Sequence, residues 1–119
     1  DDPMHIIDWF PTLAKMAAAT FQGDGVDLSP VLFKNESLPE RDLYWTWKSP
    51  VNRWALSHGD WKIVHYGKGT PKMPSTWQLF NLKSDPKERL NLAADHPAKL
   101  TELHQRFLKQ RAKDAEIKK

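Results

Sequence analysis

Five histidines and a spread of acidic residues are the first places to look for metal chemistry. His5 and Asp8 stand three apart, which on a helix turns both toward one ion, and His58 lies two residues before Asp60. Two ligands of mixed type make a thin site, and a cap or a surface pair accounts for the same spacing. His65, His96 and His104 add no recognisable ligand spacing. Nucleophilic chemistry fares no better. The chain has no cysteine, which excludes thiolate nucleophiles, thiolate metal sites and disulfides. It contains no G-x-S-x-G turn, and Ser29, Ser49, Ser57, Ser75 and Ser84 fall at turns or strand ends. The close glycine pairs, Gly23/Gly25 and Gly67/Gly69, lack the helix start that phosphate binding requires. Asp24, Asp27, Asp42 and Asp60 each have a turn or cap role, so no acid–base pair stands out. Six tryptophans are interleaved with Lys48, Arg53 and Lys62. That combination offers either a stacking platform for sugars or bases, or the filling of a small core.

The elements that must carry these residues follow from pattern and punctuation. Ile6, Phe10, Leu13, Ala17 and Phe21 recur at helical spacing and predict a helix over about 3–20. Asp2-Pro3 has the form of its start, unless it begins at Asp8 with Pro11 in the first turn, and Gly23 and Gly25 are expected to end it. Its apolar residues lie on several faces, which expects contacts on more than one side. Leu28, Val31 and Leu32 predict one short helical turn, and 34–42 a surface connection. Alternation then takes over. Leu43 to Trp47, Arg53 to Ser57, Trp61 to Tyr66 and Trp77 to Leu82 read as four strands, with Gly59-Asp60 as a two-residue hairpin loop and 67–76 as an exposed loop. Asp85-Pro86 closes the fourth strand, with the Asp85 side chain bonding the backbone two residues on. A last helix runs from near Asp95-His96-Pro97 to about 112, with Leu100, Leu103, Phe107 and Leu108 as its stripe and Glu102 one turn before Arg106. The expected class is α+β, a four-stranded antiparallel sheet packed against a C-terminal helix and preceded by an N-terminal helix.

Composition sets the outer limits. At 119 residues, with 39% apolar and 28% charged residues, the chain is sized for one modest core and is unlike disordered sequences. The net charge of +3 gathers at Lys109, Arg111, Lys113, Lys118 and Lys119, a solvated end rather than a nucleic-acid surface. No apolar run reaches the ~20 residues of a membrane span. The chain starts at Asp1, close to a helix pattern, so a natural start upstream is expected.

Several strings taken in order resemble one family. Asp8-Trp9-Phe10-Pro11-Thr12-Leu13 resembles a late helix of the formylglycine-dependent sulfatases, arylsulfatase-like members of the alkaline phosphatase superfamily. Gly23-Asp24-Gly25-Val26-Asp27-Leu28-Ser29-Pro30-Val31-Leu32 is similar to that family's DG-x-S-L-x-P-L-L segment, and Arg41-Asp42-Leu43-Tyr44-Trp45 to its arginine-led aromatic strand. Ser57-His58-Gly59-Asp60-Trp61-Lys62-Ile63-Val64 resembles its R-x-G-D-W-K-L hairpin. Gln78-Leu79-Phe80-Asn81-Leu82, Asp85-Pro86-Lys87-Glu88 and Asn91-Leu92-Ala93 resemble its E-L-Y-D-L-x-x-D-P-x-E-x-x-N-L-A signature. Ser57, His58, Gln78 and Asn81 depart from the pattern.

The resemblance implies a C-terminal segment of a two-part sulfuric ester hydrolase. Residues 1–33 would be the helix and connection that end a large catalytic domain, and 34–119 the small sheet-plus-helix subdomain. Formylglycine, made within a C/S-x-P-x-R motif, and a calcium ion would both belong to the parent's preceding domain, with no cofactor bound by this chain. The implied partners are that catalytic domain and a sulfate ester, with no nucleic acid and no membrane, and the isolated chain is expected to be inactive and to self-associate. No catalytic residue is carried onto this sequence. Trp47, Lys48 and Arg53 are the expected cleft-bordering residues, followed by Lys68 and Lys72. Export to the periplasm or outside the cell is implied by the family alone. Phosphodiesterases and phosphonate hydrolases sharing the late architecture, or a stand-alone Trp-rich carbohydrate or nucleic-acid module, are the alternatives.

Overall fold

Residues 4–47, 53–67 and 76–117 are described by the computed structural model. The chain divides into two compact units, Asp1–Glu40 and Arg41–Lys119.

In the first unit a 3-10 turn, Ile6–Asp8, leads into α1, Trp9–Met16, and a second short helix, α2, spans Ser29–Lys34. The Asp2-Pro3 start proposed from sequence lies outside the described residues. The helical run instead opens with a reciprocal cap: the Asp8 carboxylate accepts from the His5 backbone N–H at 2.7 Å, and His5 Nδ1 accepts from the Ile7 N–H at 3.4 Å. Pro11 is the third residue of α1, where its missing N–H has no intrahelical partner to lose. The helix is shorter than its apolar periodicity predicts. Ala18 turns to φ 54° and the carbonyls of Leu13, Ala14 and Lys15 are taken up by Ala17, Ala19 and Ala18, so an alanine-rich C-cap ends α1 well before Gly23 and Gly25. Gly25 has a different reason to be glycine, since a Cβ there would run into the Ile7 carbonyl.

Two fully buried polar side chains fasten α1 to the segment ahead of α2. Asp8 also accepts from the Val26 N–H at 3.1 Å, while Thr12 donates to the Asp8 carbonyl at 2.6 Å and accepts from the Leu28 N–H at 2.8 Å. The bonds to Val26 and Leu28 satisfy backbone N–H groups of the irregular segment that no helix or sheet ladder serves.

The second unit is a four-stranded antiparallel meander of order β1-β2-β3-β4: β1 Asp42–Trp47, β2 Arg53–His58, β3 Trp61–Tyr66 and β4 Gln78–Asn81. Gly59, at φ 55°, makes the tight β2–β3 turn that its position in His58-Gly59-Asp60-Trp61 predicts. Most of the loop expected over 67–76 lies outside the described residues. Register puts Tyr44, Leu56, Ile63 and Leu79 across from one another on one face. α3, Pro97–Ile117, lays Leu100, Leu103 and Phe107 on that face, closing a core with Trp54, Leu56, Ile63, Trp77 and Leu79. Phe107 is the hub, with its ring centroid 4.5 Å from Trp77, 5.5 Å from Tyr44 and 6.0 Å from Trp54. The fold class is therefore α+β, as the alternation and the final stripe require.

Polar pairs finish the second unit. Asp42 of β1 meets His58 Nδ1 at 2.9 Å and receives Arg106 and Gln110 of α3 at 3.3 Å each, tying sheet to helix. Glu102 pairs with Arg106 at 3.5 Å and with Lys99 at 2.6 Å. The outer edge of β4 is clamped by the following segment: Asn91 Oδ1 accepts from the Leu79 N–H at 3.0 Å, and the Leu79 carbonyl accepts from the Leu92 N–H at 2.8 Å. Asp85 reaches farther than a two-residue Asx turn, accepting from the Arg89 and Leu90 N–H groups, because Glu88 at φ 52° curls the chain back over it. Among the described residues no helix is long and apolar enough to cross a membrane.

Candidate functional site on the outer sheet face

The alternation that sends Trp54, Leu56 and Ile63 toward α3 sends their neighbours to the opposite face. There Trp47, Arg53 and Tyr66 form one cross-strand row, and Trp45, Ala55, Val64 and Gln78 the next. Of these, all but Gln78 line, together with Lys62, a shallow concavity of about 220 Å³. Trp47 is 65% exposed and Trp45 37%, against 7% for Trp54 and 2% for Trp77. The tryptophans thus divide between the two roles open to them in the sequence. Trp54 and Trp77 fill the core, and Trp45 and Trp47 pave a surface.

Cations lie over the rings. The Arg53 guanidinium is 5.4 Å from the Tyr66 centroid, and the Lys62 ammonium 6.0 Å from that of Trp45. Lys62 is also held by Glu88 at 2.6 Å. Of the residues expected to border a cleft, Trp47 and Arg53 are brought together as direct cross-strand partners. Lys48, Lys68 and Lys72 lie outside the described residues. Trp45 and Lys62, read from sequence only as part of a general stacking platform, join this surface, and Tyr66 joins it without having been singled out. The signal was available, because the Gly59-Asp60 turn fixes the register that places Tyr66 opposite Arg53.

The sequence-adjacent metal candidates separate. His5 and Asp8 are spent on capping, His58 pairs with Asp42 rather than Asp60, and Asp60 lies 3.8 Å from Lys83. His65 bonds the Thr76 carbonyl at 2.7 Å, and His96 packs edge-on against Trp61. His104 is buried, in ring contact with Trp77 and Phe107. Among the described residues no three His, Asp or Glu side chains converge as a metal site. The acidic side chains with shifted titration are structural. A hydrogen bond from Lys15, then two from Ser29, hold the Asp27 carboxyl at about 2, and Lys99 holds Glu102 below the usual carboxylate range.

No protein-family model matches the chain. It is 29% identical over 117 residues to Arylsulfatase K of Bos taurus and 28% identical over 118 residues to Arylsulfatase K of Xenopus laevis, covering 87% of this chain in each case. The chain spans about a fifth of those curated relatives, 21% of each. Among solved structures, Ps i-CgsB aligns over 92% of this chain and 24% of its own at TM-score 0.73 and 25% identity, and its complex with k-i-k-neocarrahexaose at 0.74. A Bacteroides thetaiotaomicron structure from work on the metabolism of multiple glycosaminoglycans shares the fold at TM-score 0.64 and 20% identity, over 89% of this chain. These likenesses support a sulfatase C-terminal segment.

Proposed function

We propose that this chain is the non-catalytic C-terminal module of a sulfuric ester hydrolase, completing the fold of a larger enzyme and bordering its substrate cleft. The observation that carries the reading is coverage: nearly the whole chain matches Arylsulfatase K while accounting for a fifth of that protein's length. Hydrolysis then belongs to residues upstream. The residues present do not form the family's catalytic centre: the sequence has no cysteine, its S-x-P-x-R string, Ser37-Leu38-Pro39-Glu40-Arg41, lies in the connection between α2 and β1 with Ser37 exposed, and the described acidic groups do not converge on a cation. Formylglycine and calcium are accordingly assigned to the preceding domain, and no chemical step is assigned to this chain.

Its own contribution is shape. Unit one presents Ile6, Phe10, Leu13 and Met16 to its surroundings, with Ile6 76% and Phe10 65% exposed. An apolar surface of that kind on so short a helix marks a docking face, and its occupant in this reading is the catalytic domain. Trp47, Lys48 and Arg53 would border the cleft.

The test is sulfate release from p-nitrocatechol sulfate by this chain and by the longer protein that includes the preceding sequence. Activity confined to the longer protein is expected, and turnover by the 119-residue chain overturns the reading. Hydrolysis of bis-p-nitrophenyl phosphate in preference to the sulfate ester by the longer protein would assign it to the phosphodiesterase branch instead.

A further inference from the structure

Asn35-Glu36-Ser37 is an N-x-S string, the acceptor pattern for asparagine-linked glycosylation, with Glu36 rather than proline in the middle. Such a string serves as an acceptor only where the chain displays it, and here all three residues are exposed in the connection that follows α2. The other asparagines lack the pattern, since Trp54, Lys83 and Ala93 stand two residues after Asn52, Asn81 and Asn91. Asn81 and Asn91 are also spent in local bonds. Asn81 Oδ1 accepts from the Lys83 and Ser84 N–H groups, and Asn91 Oδ1 from those of Leu79 and Ala93.

The local backbone explains why Asn35 is displayed. It closes α2 in the left-handed region, at φ 55° and ψ 33°, a conformation that a short amide side chain tolerates better than most. The Asn35 and Glu36 N–H groups both turn back to the Pro30 carbonyl, the latter at 3.1 Å, so the helix end is satisfied by backbone alone. The Asn35 side-chain amide is not needed as a cap, and neither it nor the Ser37 hydroxyl bonds another described residue. Pro39 biases Leu38 to extended backbone, and residues 35–41 carry neither helix nor strand.

We propose that Asn35 is an N-glycan acceptor. The co-reactant is a polyprenyl-diphosphate-linked oligosaccharide, brought to the chain by a transferase that reads the Ser37 hydroxyl together with the amide. Asn35 Nδ2 attacks the anomeric carbon of the first sugar. A C–N bond forms, the bond from that carbon to the phosphate oxygen breaks, polyprenyl diphosphate leaves, and Nδ2 gives up one proton; nothing is oxidised or reduced. A glycan here also requires the 35–37 connection to stay in solvent in the longer protein, outside the interface formed by Ile6, Phe10, Leu13 and Met16. That corollary rests on the docking reading above, whereas the acceptor itself does not.

Expression of the 119-residue chain in mammalian cells behind a cleavable signal sequence tests it. Total protein from cells and medium is compared on a denaturing gel before and after digestion with peptide N-glycosidase F. The expected result is a slower-migrating form that the enzyme collapses to the mobility of the unmodified chain, with peptide mass spectrometry placing the enzyme-deamidated residue at position 35. N35Q and S37A should lose the shift, while S37T, which keeps the hydroxyl, and N52Q, which changes an asparagine outside the pattern, should retain it. Near-UV circular dichroism of the glycosylated chain should match that of the same chain after enzymatic release, because an exposed helix exit carries the glycan without disturbing the packing. The proposal is overturned by an unshifted chain in total protein, by a shift that survives N35Q, by S37A and S37T behaving alike, or by a glycosylated form whose tertiary packing differs from the released one. Sulfate release plays no part in these readouts, so their failure leaves the hydrolase reading where it stands.

Discussion

Thr12 bonds in two directions at once, donating to the Asp8 carbonyl within α1 and accepting from Leu28 sixteen residues on. Being fully buried, it shows how the first unit holds its turn-rich segment with few apolar contacts. Asp27 works beside it at the surface. Its carboxyl titrates near 2 instead of 3.8, first because Lys15 donates to it and then because Ser29 does so from both side chain and backbone. A carboxyl with a lowered folded pKa is ionised preferentially in the folded state. Its stabilising contribution is therefore complete above about pH 3.8 and disappears as the pH falls to about 2. The expected result is that D27N exchanges its Ser29 amide faster than the wild type at pH 6, with the difference shrinking between pH 4 and 2. Hydrogen exchange followed by NMR measures this, and a gap that persists at pH 2 would mean the bonds do not depend on ionisation.

Strand period decides which tryptophans matter to stability. Trp54 of β2 is 7% exposed and lies beneath Phe107 and Arg111, whereas Trp47 of β1, one residue out of phase with the core face, is 65% exposed. Trp54→Ala should cost about 3–5 kcal/mol, while Trp47→Ala should stay within about 0.5 kcal/mol of the wild type; urea unfolding of the two variants separates them. The same alternation made most of the second unit legible in advance. The hairpin followed from Gly59-Asp60 and the final helix from Leu100, Leu103 and Phe107, because each is a local signal that tertiary packing reinforces. His104 was not legible as core, since its type gives no hint that it will lie against Trp77 and Phe107. The end of α1 was missed for a related reason. Ala17, Ala18 and Ala19 favour helix intrinsically, yet the chain must reverse there to bring Val26 and Leu28 back onto Asp8 and Thr12, so tertiary bonds override propensity. Of the outer face, Trp47 and Arg53 were legible from strand and loop position, while Trp45, Lys62 and Tyr66 required the register across three strands.

For the molecule as a whole, the exposed apolar residues of the first unit should make the isolated chain associate with itself. Light scattering behind size exclusion should show a mass that rises with protein concentration, and the double variant I6E/F10E should return it to about the monomer mass of 13.8 kDa. Retention of the oligomer by the variant would locate the contact elsewhere. The clamp that Asn91 and Leu92 place on β4 has a further consequence. A meander leaves its last strand with an open row of donors and acceptors, a ready template for another chain to extend. By occupying that row at Leu79, the segment after the strand acts as a built-in chaperone, and its side-chain amide is a safeguard against fibrillar stacking rather than a piece of any binding surface.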